Sequence, residues 1–158
     1  NNHYPPFPAQ AQQFDNWCWA AVTTSVLHWY GRRIAEVQAD IVLTVLGAVV
    51  DLPFGVDAAL QHALHRCFRG TTLVPPSFAV DIKPELDAGR PLVVQLAPNP
   101  FIPHHVVMLT GYADGPGGQW VRVQDPYPVG VGRELEWSFA NFLAAYPIVH
   151  VFCTTNPV

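Results

Sequence analysis

The sequence predicts an α+β domain, with helices first and an antiparallel sheet afterwards. Three observations carry that prediction. Apolar residues recur at helical spacing through the first half: Trp19, Val22, Val26 and Trp29, then Ile34, Val37, Ile41 and Val45, then Val56, Leu60 and Leu64. From Leu92 onward they run continuously or alternate, as strands require, over 92–96, 105–112, 119–124, 133–136 and 148–153. Glycine and proline stand where these patterns stop, with Gly31 after the first helix and Gly89 and Pro91 before the first strand.

The first helix is expected from about Trp17 to Tyr30, with Asp15 or Asn16 as N-cap and Gly31 as a left-handed stop. The patterns through Ile34–Val45 and Val56–Leu64 complete a helical half, the second opening on Gly55 and on Asp57, whose charge suits a first turn. A short helix over Asp81–Ala88 tolerates Pro84 only because it falls in the first turn. Ser138 caps another short helix, Ser138–Ala145, which interrupts the strands.

Half of the 158 residues are hydrophobic and only 13% are charged, enough apolar surface for one compact domain over 12–158 without disulfides. Asn1–Ala11, with Pro5, Pro6 and Pro8, reads as a linker or extended arm. Because the chain opens on Asn1 and not methionine, we expect a processed form or an excised part of a larger protein; if Asn1–Ala11 is a linker, a delivery or targeting domain could lie upstream. A net charge of −4, a single lysine (Lys83) and no basic run argue against nucleic acid or an anionic membrane as the main partner. No run of eighteen apolar residues and no N-terminal signal core occur.

Four residues suggest chemistry. Cys18, in Asn16-Trp17-Cys18-Trp19-Ala20-Ala21, falls in the first turn of the first helix, where the dipole and the N–H groups favour a thiolate. Six residues earlier, Gln12 carries an amide able to stabilise an oxyanion; Gln13 and Gln10 compete for that role. His105 opens a buried apolar strand, and its alternation with Val107 and Leu109 prefers it to His104, although a one-residue slip would exchange the two. Asp125, ahead of Pro126, ends the next strand and returns close to His105 if the two strands pair through a turn at Ala113–Gly118. Taken singly, each residue has a plainer reading: a cysteine in an apolar helix is usually inert core, and an Asp-Pro at a strand end is usually a turn. Together they make a nucleophile, a base, an orienting carboxylate and an oxyanion donor.

The order Gln12, Cys18, His105 with Gly111-Tyr112 six residues on, and then Asp125 resembles the papain-like cysteine peptidases. The Asn-Trp-Cys-Trp-Ala-Ala wording and Asp125-Pro126 are closest to a compact bacterial branch that includes secreted effector and toxin proteases and resembles bacteriocin-leader peptidases. The resemblance spans about Gln10 to Val151 and implies a papain-like fold, with the helical half packed on the sheet and the active site between them. It further implies Cys18 as nucleophile, His105 as general base and acid, Asp125 as orienting residue and Gln12 as oxyanion donor, hydrolysing peptide bonds in a protein or peptide substrate. Secretion or delivery into a host or rival cell follows by analogy, with a cognate inhibitor or immunity protein protecting the producer. The same four groups also serve glutamine deamidation or acyl transfer to an amine, and the scaffold can persist as a silent binding domain. The chain lacks the further cysteine before the nucleophile and the Asn-Ser-Trp third site of plant-type members, so their substrate preferences are not carried over.

Cys67 and Cys153 are expected as buried free thiols, with a bridge between them as the alternative. His62, His65 and Cys67, with His150 and Cys153, could form a zinc set, but the spacing fits no zinc module, and solvated histidines on a helix account for them more simply. No metal or cofactor is therefore expected.

Overall fold

In the computed structural model, which describes residues 2–98 and 105–157, helices α1 (Cys18–Trp29), α2 (Gln38–Leu46) and α3 (Val56–Gln61) precede most of a seven-stranded sheet. The strands are β1 (Asn2–His3), β2 (Phe68–Thr71), β3 (Leu92–Leu96), β4 (His105–Gly115), β5 (Gly118–Asp125), β6 (Arg133–Ser138) and β7 (Ile148–Thr154). A π-helical turn, Phe78–Ile82, runs into α4 (Lys83–Asp87), and α5 (Phe139–Ala145) separates the last two strands. The fold is α+β and consistent with a papain-like peptidase.

Helix α1 lies at the centre, with Cys18 through Leu27 all buried. Its buried hydroxyls, Thr23, Thr24 and Ser25, each donate to the carbonyl four residues back at 2.7 Å, so none is left unsatisfied. The N-cap is Trp17, not Asp15 or Asn16, and no side chain caps the helix. Asn16 is held elsewhere, since its backbone N–H donates to Asp51 Oδ1 at 2.9 Å. The indoles of Trp17 and Trp19 donate to the carbonyls of Val50 and Leu52 at 2.8 and 3.0 Å, pinning the loop before α3 against the helix start. At the other end Gly31 takes φ +69°, donating to His28 O while Arg32 donates to Leu27 O, which satisfies the last carbonyls.

Several boundaries differ from the hydrophobic pattern for local reasons. Helix α2 starts only at Gln38: Val37 is its extended N-cap, bonded to Asp40, and Ile34 is exposed before it. Helix α3 stops before Leu64 because His65 Nδ1 takes the Ala59 carbonyl at 2.7 Å and turns the chain back. The segment expected over Asp81–Ala88 begins at Phe78, where Ser77 and Asp81 cap reciprocally: Ser77 N–H donates to Asp81 Oδ2, and Val80 N–H to Ser77 Oγ.

All pairings are antiparallel, in the order β2-β7-β3-β4-β5-β6. Strand β1 pairs with β4 at Tyr112 and Ala113, beyond the point where β3 ends. Both faces are covered. Val93, Val106, Met108 and Phe152 face the α1–α3 side, while Val94, Val107, Leu109, Val121 and Val123 face α4 and α5 through Ile82, Leu86, Phe139 and Phe142.

The stretch before Gln12 lies along the domain. Pro5 O accepts from Arg122 Nη2, Phe7 stacks on Trp29, and Gln10 N–H donates to Ser25 Oγ at 3.0 Å. Gly111 makes the seat, since a Cβ there would fall 2.7 Å from both His3 O and Tyr4 Cδ1. Among the described residues no helix is long and apolar enough to cross a membrane.

Candidate active site

Three elements converge at one end of the sheet. Helix α1 supplies Cys18 from its first residue, 3% exposed. Strand β4 supplies His105, also from its first residue, and β5 supplies Asp125 from its last. From His105 to Leu109, before the bulge that precedes Gly111, odd positions of β4 face the α5 side and even ones the α1 side, so His105 shares a face with Asp125 and not with Cys18. Lying at the mouth of the sheet, however, the ring is reached from both sides. It lines a cleft of about 410 Å³ with Cys18, Trp19, Phe54, Val56 and Leu96, and also a pocket of about 180 Å³ with Asp125, Arg133 and Tyr146.

His105 Nε2 lies 2.8 Å from Asp125 Oδ1, with both side chains buried. The same oxygen accepts the Tyr127 N–H at 2.9 Å, and Oδ2 accepts from Arg133 Nη2 at 2.9 Å. The imidazole also hydrogen-bonds the Cys18 side chain. Burial disfavours the charged ring and is the largest single influence. The bonds and charges of Asp125 and Cys18 together outweigh it and carry the His105 pKa up to about 9. Burial likewise works against the Asp125 carboxylate, yet the His105 bond and charge, the Tyr127 N–H and Arg133 hold its pKa below the ordinary range. The arrangement can keep an imidazolium beside a sulfur at neutral pH.

Gln12 is 1% exposed and sits behind the loop that delivers Cys18. Its Nε2 donates to Phe14 O at 2.9 Å and Asp15 O at 2.8 Å, and its Oε1 is buried with no partner among the described residues. Its backbone ties that loop to the one after Asp125, through Pro126 O and Gly130 N–H. Gln12 is not among the cleft-lining residues. Of the four expected site residues, Cys18, His105 and Asp125 meet, and Gln12 braces the loop between them. Gln13 is exposed, and Gln10 is bound to Gln38 and His28; neither lines the cleft beside Cys18. His104 lies outside the described residues.

Arg133 was not singled out from the sequence. The available signal is its place at the start of the strand after the Asp-Pro turn, directly opposite Asp125 in the β5–β6 ladder.

The other thiols and histidines behave differently. Cys67 and Cys153 are buried and unbridged; burial pushes the Cys67 pKa up to about 12 and that of Cys153 upward. His65 is not the solvated residue expected: it is fully buried beneath α3, with Nε2 lacking any described partner, and burial lowers its pKa. Among the described residues no three His, Cys, Asp or Glu side chains are grouped to hold a metal.

A search of curated proteins found no match to the chain. A family model described as the Peptidase_C39 like family matches residues 4–150, a span that takes in Cys18, His105 and Asp125 as well as most of the N-terminal arm. With a match over nearly its whole length and a papain-like arrangement of helices and sheet, the chain belongs to the Peptidase_C39 like family of papain-like cysteine peptidases.

Proposed function

We propose that the protein is a cysteine endopeptidase in which Cys18, His105 and Asp125 form the triad. One observation carries this reading: the His105 ring bonds the buried Asp125 carboxylate and the Cys18 side chain at the wall of an open cleft. The Cys18 thiolate attacks the carbonyl carbon of a peptide bond, and the oxygen takes the negative charge. The backbone N–H of Cys18, at the positive end of the α1 dipole, is the first donor to that charge. Gln12 is the second donor, exchanging one of its two loop carbonyls for the oxyanion as substrate settles. His105 passes its proton to the leaving amine, the C–N bond breaks, and a thioester remains on Cys18. The now neutral ring takes a proton from water, whose oxygen attacks the thioester. Collapse releases the acid and restores the thiolate–imidazolium pair.

Trp19, Phe54, Val56 and Leu96 make the cleft largely apolar, which suits an extended polypeptide better than a highly charged ligand. Delivery into a host or rival cell, with a dedicated inhibitor in the producer, is part of the same proposal and rests on the Asn16–Ala21 resemblance. The test is to incubate protein substrates or lysates with the wild type and with Cys18→Ala and compare new N-termini by mass spectrometry. New termini that depend on Cys18 support proteolysis. A gain of about one dalton at glutamine, or amine incorporation, without cleavage would assign the same thioester to deamidation or acyl transfer.

A further inference from the structure

We propose that Arg133 is a positioning residue of the peptidase site, holding the Asp125 carboxylate in the orientation that directs it at His105. The proposal rests on the triad reading above. Asp125 and Arg133 are opposite one another in the β5–β6 ladder, so the backbone register itself brings guanidinium and carboxylate together. Arg133 Nη2 donates to Oδ2 at 2.9 Å, the one described partner of that oxygen, while Oδ1 is shared by His105 and the Tyr127 N–H. Three donors thus fix a planar group at both oxygens. Without the guanidinium, Oδ2 is a buried charge with nothing opposite it, and the carboxylate gains the options of rotating away from the ring or taking up a proton.

Arg–Asp pairs with both ends in water contribute little. Here the ends differ: the Asp125 side chain is 1% exposed and the Arg133 side chain 51%. The cation keeps its hydration, and its bond reaches into the protein to a carboxylate already engaged by the ring. The fork also offers directed N–H groups that a lysine lacks. The charged or titratable groups facing the His105–Asp125 pair from neighbouring elements are Cys18 on α1, Tyr127 after β5, Arg133 with Glu134 beside it on β6, and Tyr146 at the end of α5. Of these, Arg133 alone contributes a positive charge.

The experiment follows the His105 ring by NMR titration and, in parallel, the pH dependence of Cys18 alkylation by iodoacetamide. It compares the wild type, Arg133→Ala, Arg133→Gln, Arg133→Lys and Asp125→Asn. In the wild type the ring is expected to titrate near pH 9. Arg133→Ala and Arg133→Gln are expected to lower that midpoint by about one to two pH units and to slow alkylation at neutral pH. Arg133→Lys should recover part of the shift, and guanidinium ion at low, non-denaturing concentration should restore Arg133→Ala but not Asp125→Asn. A merely structural arginine would change thermal stability and leave the ring's midpoint in place. An unmoved midpoint in both Arg133→Ala and Arg133→Gln overturns the role of Arg133 and leaves the triad standing. Should wild-type Cys18 label no faster than Cys67 and Cys153, and independently of His105, the triad falls and this proposal with it.

Discussion

Among the described residues two histidines are buried with a cysteine close by in space or sequence, and they have opposite properties. His105 bonds Asp125 and the Cys18 side chain, and its pKa rises to about 9. His65, two residues before Cys67, bonds the Ala59 carbonyl and no other described residue, and burial lowers its pKa while pushing that of Cys67 up to about 12. Burial acts in the same direction on both rings. The difference is a hydrogen-bonded carboxylate, brought to His105 by the pairing of β4 with β5 and joined by the Cys18 side chain, where His65 feels only the more distant charge of Glu36. Residue type and burial alone therefore do not set the charge on an imidazole; the groups bonded to it do.

The strongest way to test that contrast is to remove each sulfur in turn. Cys18→Ala should lower peptide hydrolysis by about 10⁴- to 10⁶-fold, while Cys67→Ala should leave the rate near wild type. Next, Asp125→Asn should make His105 resemble His65. Turnover should fall by about 10⁴-fold, and the alkaline limb of the rate profile, expected near pH 9 where the wild-type ring loses its proton, should move down to the range of an unpaired buried imidazole. Gln12→Ala should cost about 10²- to 10³-fold in kcat with KM little changed if its amide joins the oxyanion site. A change in thermal stability alone would confine Gln12 to bracing the loop.

The smallest expected effect is on stability, and there the two histidines pull in opposite directions. His105 has a folded pKa above its unfolded value, so its contribution is fully present below about pH 6.5 and is lost as pH rises through about 9. His65 has a folded pKa below the unfolded one, so its stabilising balance is present above about pH 6.5 and is lost on acidification. Asp125, also lowered, adds a further loss at more acidic pH. A melting temperature measured against pH should thus decline on both sides of neutrality. His65→Gln should flatten the upper part of the acid side and Asp125→Asn the alkaline side.

The contrast also shows which features the sequence makes legible. Cys18, His105 and Asp125 each mark the end of a regular element, and ends are visible in the hydrophobic pattern, as were the sheet strands from Leu92 onward. What escaped depends on partners distant in sequence. Strand β1 is two residues in a proline-rich stretch, and it exists because Gly111 leaves room for His3 O and Tyr4. Arg133 gains its meaning only from the register that sets it opposite Asp125. His65 lies in a polar run that reads as solvent-facing, yet it turns inward to satisfy a carbonyl of α3. The N-cap of α1 at Trp17, in place of Asn16, likewise goes with Asn16 being drawn to Asp51 across the loop.

The seating of β1 on β4 has a practical geometric result. Asn2 pairs with Ala113, eight residues along the strand from His105, which at about 3.3 Å per residue is roughly 25 Å from the imidazole. An affinity handle or a fused carrier joined ahead of Asn2 would therefore leave the domain at the far end of that strand, without obstructing a polypeptide entering beside the sulfur.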